Sequence, residues 1–180
     1  MDRIVNASGG STEWETPDLL FRFLDKSFGP FSLDAAACET NAKCAEFIDK
    51  VTDSFLTPWW GTVFLNPPYG RGRVLEKWGM RVQEQLLNNV AVETVVMLVP
   101  ARTETIFFQD IALKNARSVG TIVQNADGYV FGSGAVGPDS DGGIDTEVYF
   151  IKGRLAFLLD GKTIDPAPFP SAVVRFSRGS

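Results

Sequence analysis

The sequence predicts an α/β fold: a mainly parallel sheet with helices on both faces, completed by an antiparallel, β-rich C-terminal part. Three observations predict it. Helical and strand patterns alternate up to about Ala116, the run Thr94 to Val99 is continuously apolar as in a strand buried on both faces, and only strand-like segments follow Ser118. The 180 residues suit one domain, 1–180, with room for a full core and little room for a second.

The elements follow in order. Thr16-Pro17-Asp18 reads as an N-cap with proline at the first helical position, opening a helix to about Ser27 that Gly29-Pro30 ends. Phe31 to Asp34 is a strand, Ala35-Ala36-Ala37 a turn or helix start, and Ala45 to Ile48 a short second strand before a connection from Asp49 to Trp60. Thr62 to Leu65 is a strand, Val74 to Leu87 a helix, Thr94 to Val99 the buried strand and Thr103 to Ala116 a further helix. The strands of the tail are expected at Ser118 to Val123, Tyr129 to Phe131, Glu147 to Ile151, Leu155 to Leu159 and Ala172 to Phe176. Residues 124–146 are rich in glycine and aspartate, so they are expected to form a flexible insertion or hairpin tip, with Gly132 to Gly143 a mobile loop.

Composition narrows the chemistry. There is no histidine, which removes the usual general base and the Ser/His/Asp and Cys/His systems. Cys38 and Cys44 have no Cys-x-x-Cys spacing and read as small buried thiols, so no metal site is expected. No apolar run is long enough to span a membrane, and the N-terminus carries neither a basic n-region nor an apolar h-region, so a cytoplasmic protein is expected. The net charge of −5 argues against a long, purely electrostatic nucleic-acid interface. A local basic patch is possible where Arg71 and Arg73 lead into Lys77 and Arg81, which would share a helical face with Arg73.

Asn66-Pro67-Pro68-Tyr69, directly after Thr62 to Leu65, concentrates the functional signal. In open α/β sheets ligands sit beyond the carboxyl ends of strands. The Asn66 carboxamide oxygen and the Pro67 carbonyl can accept both hydrogens of one exocyclic NH2, while the Tyr69 ring stacks on the base bearing it. The prolines stiffen the backbone and present acceptors without N–H groups. Such a site suits methylation of an aromatic amine. If Tyr69 acts through its ring face, Phe or Trp should serve there nearly as well. Asp34 ends its strand where a carboxylate can accept from an ammonium group, beside the small Ala35 and Ala36; the alternative is an ordinary helix-capping acid.

With these residues the chain resembles the phage-type, Dam-like DNA N6-adenine methyltransferases. The resemblance rests on Trp14-Glu15-Thr16-Pro17, Phe31 to Ala37 with Asn41 to Cys44, Asp53 with Trp59, Phe64 to Gly70, Val99 to Thr103, Lys152 to Phe157 and Ala167 to Val173. It implies a Rossmann-like methyltransferase fold, S-adenosylmethionine as cofactor with S-adenosylhomocysteine as product, and double-stranded DNA with a flipped adenine as substrate. It implies further that Thr16, with Pro17, meets the methionine carboxylate, that Trp14 covers the cofactor, and that Asp53 receives the cofactor's adenine amine; Asp49 could meet the ribose. Arg102 and Arg154 occupy family motif positions where a guanidinium can hold phosphate or pair with a structural carboxylate. Ala35-Ala36-Ala37 replaces the usual glycine-rich cofactor loop. Two other readings stay open: an amino-methyltransferase acting on RNA or protein glutamine, and a catalytically silent binding module with the same shell.

Overall fold

The computed structural model describes residues 14–70, 72–137, 143–159, 162–163 and 166–179. A seven-stranded sheet runs in the order β1(Leu33–Asp34), β2(Gly61–Leu65), β3(Val92–Pro100), β9(Ser171–Arg178), β6(Ile144–Ile151), β4(Ala116–Asn125), β5(Gly128–Val136). A separate two-stranded ribbon pairs β7(Leu158–Leu159) with β8(Lys162–Thr163). The pairs β1–β2, β2–β3 and β4–β6 are parallel, whereas β3–β9, β6–β9 and β4–β5 are antiparallel. The sheet is therefore mixed rather than mainly parallel: β9 runs antiparallel between β3 and β6 and separates strands that share one direction.

Alternating side chains build two cores. Val63 and Leu65 of β2 and Val95, Met97 and Val99 of β3 face α2(Val74–Asn88), where Val82 and Leu86 are buried. Phe64, Val96 and Leu98 face the opposite layer, where Leu20 and Leu24 of α1(Asp18–Phe28) are fully buried. β3 is apolar on both faces because a helix covers each one. Each fully buried aliphatic or aromatic side chain contributes roughly 1.5–3 kcal/mol, so these central strands anchor the sheet end that carries the site.

Several elements differ from expectation for local reasons. α1 starts at Asp18 with Pro17 in the capping position and no side-chain cap, so Thr16 is not the N-cap. The strand expected over Ala45 to Ile48 shrinks to a single parallel bridge between Phe47 and Asp34. The helix expected over Thr103 to Ala116 is a π-helical turn, Phe107–Ala112, closed by Leu113 N–H to the Phe108 carbonyl. Gly79 of α2 allows Phe107 and Ile111 to approach so closely that an added Cβ would sit 3.0 Å from both. Leu155 to Phe157 are not strand; only Leu158–Leu159 are.

The expected loop over Gly132 to Gly143 requires a correction. Residues through Val136 form edge strand β5, hydrogen-bonded to β4 across a tight turn at Ala126-Asp127. Its glycines serve close pairing, since a Cβ on Gly134 would lie 2.8 Å from the Val119 carbonyl oxygen and 2.9 Å from Gly120 Cα. Residues 138–142 lie outside the described residues. Among the described residues no helix is long and apolar enough to cross a membrane.

Candidate active site

The site grows from the carboxyl ends of β1 and β2. β1 ends at Asp34, and the β2 backbone passes directly from Leu65 into Asn66. A cleft of about 500 Å³ opens between them, a size suited to a small organic ligand. Trp14, Thr16, Asp34, Ala35, Ala36, Asp53, Asn66 and Pro68 all line it, so residues from four separate stretches of sequence meet at one place.

Asp34 is 3 % exposed. Its Oδ2 accepts the Lys43 N–H at 3.0 Å and its Oδ1 the Ala36 N–H at 3.4 Å. Burial pushes its carboxyl up to about 6, against the lowering effect of those two N–H groups and the Lys43 charge. An arriving ammonium group would relieve that penalty. No Cβ branch at Ala35 or Ala36 obstructs approach to the backbone here.

The opposite wall is the Asn66 carboxamide. Its Nδ2 donates to the Trp14 carbonyl at 2.5 Å and to Thr16 Oγ1 at 3.0 Å. Thr16 is buried, and accepting this bond leaves its own O–H available as a donor. Asn66 Oδ1 accepts from the Tyr69 hydroxyl at 2.6 Å, and that hydroxyl also reaches the Leu98 carbonyl at 3.1 Å. Burial holds the Tyr69 phenol well above its ordinary range, so it stays protonated. The Tyr69 ring packs nearly perpendicular to Phe169 and Phe157, which also surround Trp14. Pro67 is buried and, like Tyr69, is not among the residues lining the cleft; among the described residues its carbonyl accepts no hydrogen bond.

The third wall is the loop between Asp49 and Trp60. Asp53 adopts a left-handed backbone conformation, φ 58°, which aspartate tolerates better than most residues, and its Oδ1 accepts the Phe55 N–H. Asp49 is occupied in a local turn, accepting from Val51 and Thr52 N–H and from the Thr52 hydroxyl, which together hold its carboxyl below the usual range.

The basic residues do not form one patch. Arg73 pairs with Glu76, and Arg81 is buried beneath the Asp49 to Trp60 loop, donating to the Ser54 and Thr57 carbonyls and pairing with Glu84. The shared basic face of Arg73, Lys77 and Arg81 is thereby broken. Arg102 is exposed just beyond the end of β3, and Arg154 donates to the Ala167 carbonyl. Arg71 lies outside the described residues. Phe55, which was missed from sequence, lines the cleft together with Trp78, a largely buried core residue, their ring centroids 4.6 Å apart. The available signal was an aromatic residue two places after Asp53 in a loop whose apolar Val51 and Leu56 remain exposed.

The fold and cleft thus define an α/β protein with an open cleft at its strand ends, flanked by a buried carboxylate and a fixed carboxamide. The family model described as DNA N-6-adenine-methyltransferase (Dam) matches residues 8–166, and the chain belongs to that family. It is similar to the DNA N-6-adenine-methyltransferase of Escherichia phage T1, 34% identical over 157 residues, which covers 84% of this chain and 57% of the relative. The chain therefore spans little more than half the length of that phage protein. It is also similar, at 36% identity over 64 residues, to YfdM of Escherichia coli (strain K12), a protein named as a methyltransferase; that match covers 32% of this chain and 70% of YfdM.

Proposed function

We propose that the chain methylates adenine N6 in DNA, taking S-adenosylmethionine in the cleft between Asp34 and Asn66 and releasing S-adenosylhomocysteine. The reading includes a Rossmann-like methyltransferase fold, which the parallel order β1-β2-β3 and the antiparallel β9 beside β3 support. The observation that carries it is the shared cleft: Asp34, Thr16 and the Asn66 carboxamide line one cavity at the strand ends. The residues present fit this cofactor. Asp34 would accept from the methionine ammonium, Thr16 with the start of α1 after Pro17 would meet its carboxylate, Phe55 and Trp78 would flank its base, and Asp53 would receive the base amine. Bound there, S-adenosylmethionine supplies the electrophilic methyl group.

The chain's own work lies in orientation. Adenine N6 is a poor nucleophile because its lone pair is delocalised into the ring. Two acceptors, Asn66 Oδ1 and the Pro67 carbonyl, aimed at its hydrogens favour a pyramidal nitrogen and stabilise developing positive charge. Holding the two reacting centres in line supplies much of the rate, and no covalent enzyme intermediate is needed. The target base leaves the duplex stack, with the Tyr69 side of the site receiving it and Arg102, joined by Arg71 and Arg73, near enough in sequence to the strand ends to meet phosphates. The histidine-free composition agrees with a mechanism built on acceptors instead of a titrating base.

Labelled methyl transfer from S-adenosylmethionine to duplex DNA, to RNA and to a glutamine peptide tests the reading. It predicts label on adenine N6 of DNA. Label on RNA or on the glutamine amide alone would replace it, and cofactor binding without any transfer would make the chain a silent binding module.

A further inference from the structure

We propose that the Tyr69 hydroxyl is a positioning group, which together with the Trp14 carbonyl fixes the Asn66 carboxamide in the one orientation that leaves an oxygen lone pair for the target amine; the substrate part rests on the adenine reading above. The contacts determine that orientation without ambiguity. The Trp14 carbonyl can only accept, so the amide nitrogen must face it, and the oxygen must face Tyr69. Both amide hydrogens are then used, one by Trp14 and one by Thr16, and one lone pair on Oδ1 is taken by the phenol. One acceptor site remains.

The parts that impose this are themselves tied down. Glu15 exchanges two backbone hydrogen bonds with Leu158, at 3.1 and 3.0 Å, which pins the Trp14 carbonyl from a residue far along the chain. The Leu98 carbonyl on β3, 3.1 Å from the Tyr69 hydroxyl, is a second, more distant acceptor of the same O–H hydrogen, and the Tyr69 ring is wedged against Phe157 and Phe169. The amide is thus held from the N-terminal segment on one side and from the sheet on the other. A carboxamide free to rotate would offer the target N–H donors for part of the time, which is the wrong chemistry for an amine. This replaces the expectation that phenylalanine at position 69 would serve nearly as well: the ring survives that change, but the lock does not.

The test compares Tyr69→Phe with the wild type and with protein carrying 3-fluorotyrosine at position 69, which keeps the donor. Tyr69→Phe should lower kcat for duplex DNA about tenfold, the effect of losing one orienting hydrogen bond, with the DNA KM and the S-adenosylmethionine Kd within about twofold of wild type. The fluorotyrosine protein should recover most of the kcat that Tyr69→Phe loses. Independently of activity, the Asn66 side-chain amide should give two distinct, exchange-protected NMR signals in the wild type, which shift and lose protection in Tyr69→Phe. Unchanged amide signals, or an unchanged kcat in active protein, would overturn the proposal. A wild type that transfers no methyl to DNA but whose amide loosens in Tyr69→Phe would keep the positioning contact and overturn only the substrate reading.

Discussion

Asp34 is the residue on which the proposed cofactor contact and stability pull in opposite directions. Its carboxyl is raised by burial from an ordinary value of 3.8 to about 6. The folded state therefore holds this proton more tightly than the unfolded chain does, so the contribution of Asp34 to the stability of the ligand-free protein falls as pH rises from about 4 to about 6 and is constant beyond. The difference corresponds to about 3 kcal/mol withheld from the folded state at neutral pH. A cation at the site needs the ionised form, so S-adenosylmethionine affinity should rise through about pH 6, the reverse sign. Asp34→Asn should flatten both profiles and weaken cofactor binding at pH 7. Calorimetric titration and thermal unfolding at pH 5, 6 and 7 check this, and a cofactor Kd independent of pH in the wild type would return Asp34 to a purely structural role. The positions of Asp34 and Asn66 at strand ends were legible in sequence, because Asp34 closes the run Phe31 to Asp34 and Asn66 directly follows the apolar Val63 to Leu65. The partners of Asn66 were not, since Trp14 and Thr16 stand 52 and 50 residues away and only the fold brings them together.

The loop from Asp49 to Trp60 is the element that completes the cleft, and it is held from below. Arg81 Nε donates to the Ser54 carbonyl at 3.0 Å and its Nη2 to the Thr57 carbonyl at 2.8 Å, while its guanidinium lies 5.8 Å from the Trp59 ring centroid. Ser54 in turn donates to the Ala35 carbonyl, tying the loop to the end of β1. Arg81→Ala would remove the side-chain donor to the Thr57 carbonyl and leave the Ser54 carbonyl only the Trp59 Nε1–H, and should cost about 2–4 kcal/mol of stability, with S-adenosylmethionine affinity falling about tenfold because Asp53 and Phe55 move with the loop. Urea unfolding and cofactor titration measure the two effects; loss of stability with unchanged affinity would separate the loop from the ligand. The sequence pattern placed Arg81 on an exposed helical face because periodicity sees spacing, not the loop packed over it. Long apolar elements, α2 and β3, were legible almost to their ends. Short ones were not: the bridge at Phe47 and the π-turn at Phe107–Ala112 depend on neighbours, and the glycines of β5 that resemble a loop in composition serve close strand pairing.

For the whole molecule, charge limits how DNA can be held. The net charge of −5, the Arg73–Glu76 pair and the burial of Arg81 limit the cationic surface that the described residues offer to phosphates. DNA affinity should therefore fall only gently with salt, with a log–log slope of about −2 to −3, and Arg102→Ala should reduce that slope by roughly 1 while leaving the cofactor Kd unchanged. Anisotropy titrations between about 50 and 200 mM salt read this slope; no change with Arg102→Ala would remove Arg102 from the DNA contact. The central claim is that the Asn66 carboxamide directs methyl transfer to adenine N6 of DNA. Its most direct test is to express wild type and Asn66→Ala in a methylation-free bacterial host and to sequence the host DNA with detection of N6-methyladenine. The account predicts N6-methyladenine at a defined sequence with wild type, and a loss of roughly 10²-fold or more with an Asn66→Ala protein that still folds and binds S-adenosylmethionine. Unmethylated DNA with active wild-type protein, or equal methylation by the two, would contradict it.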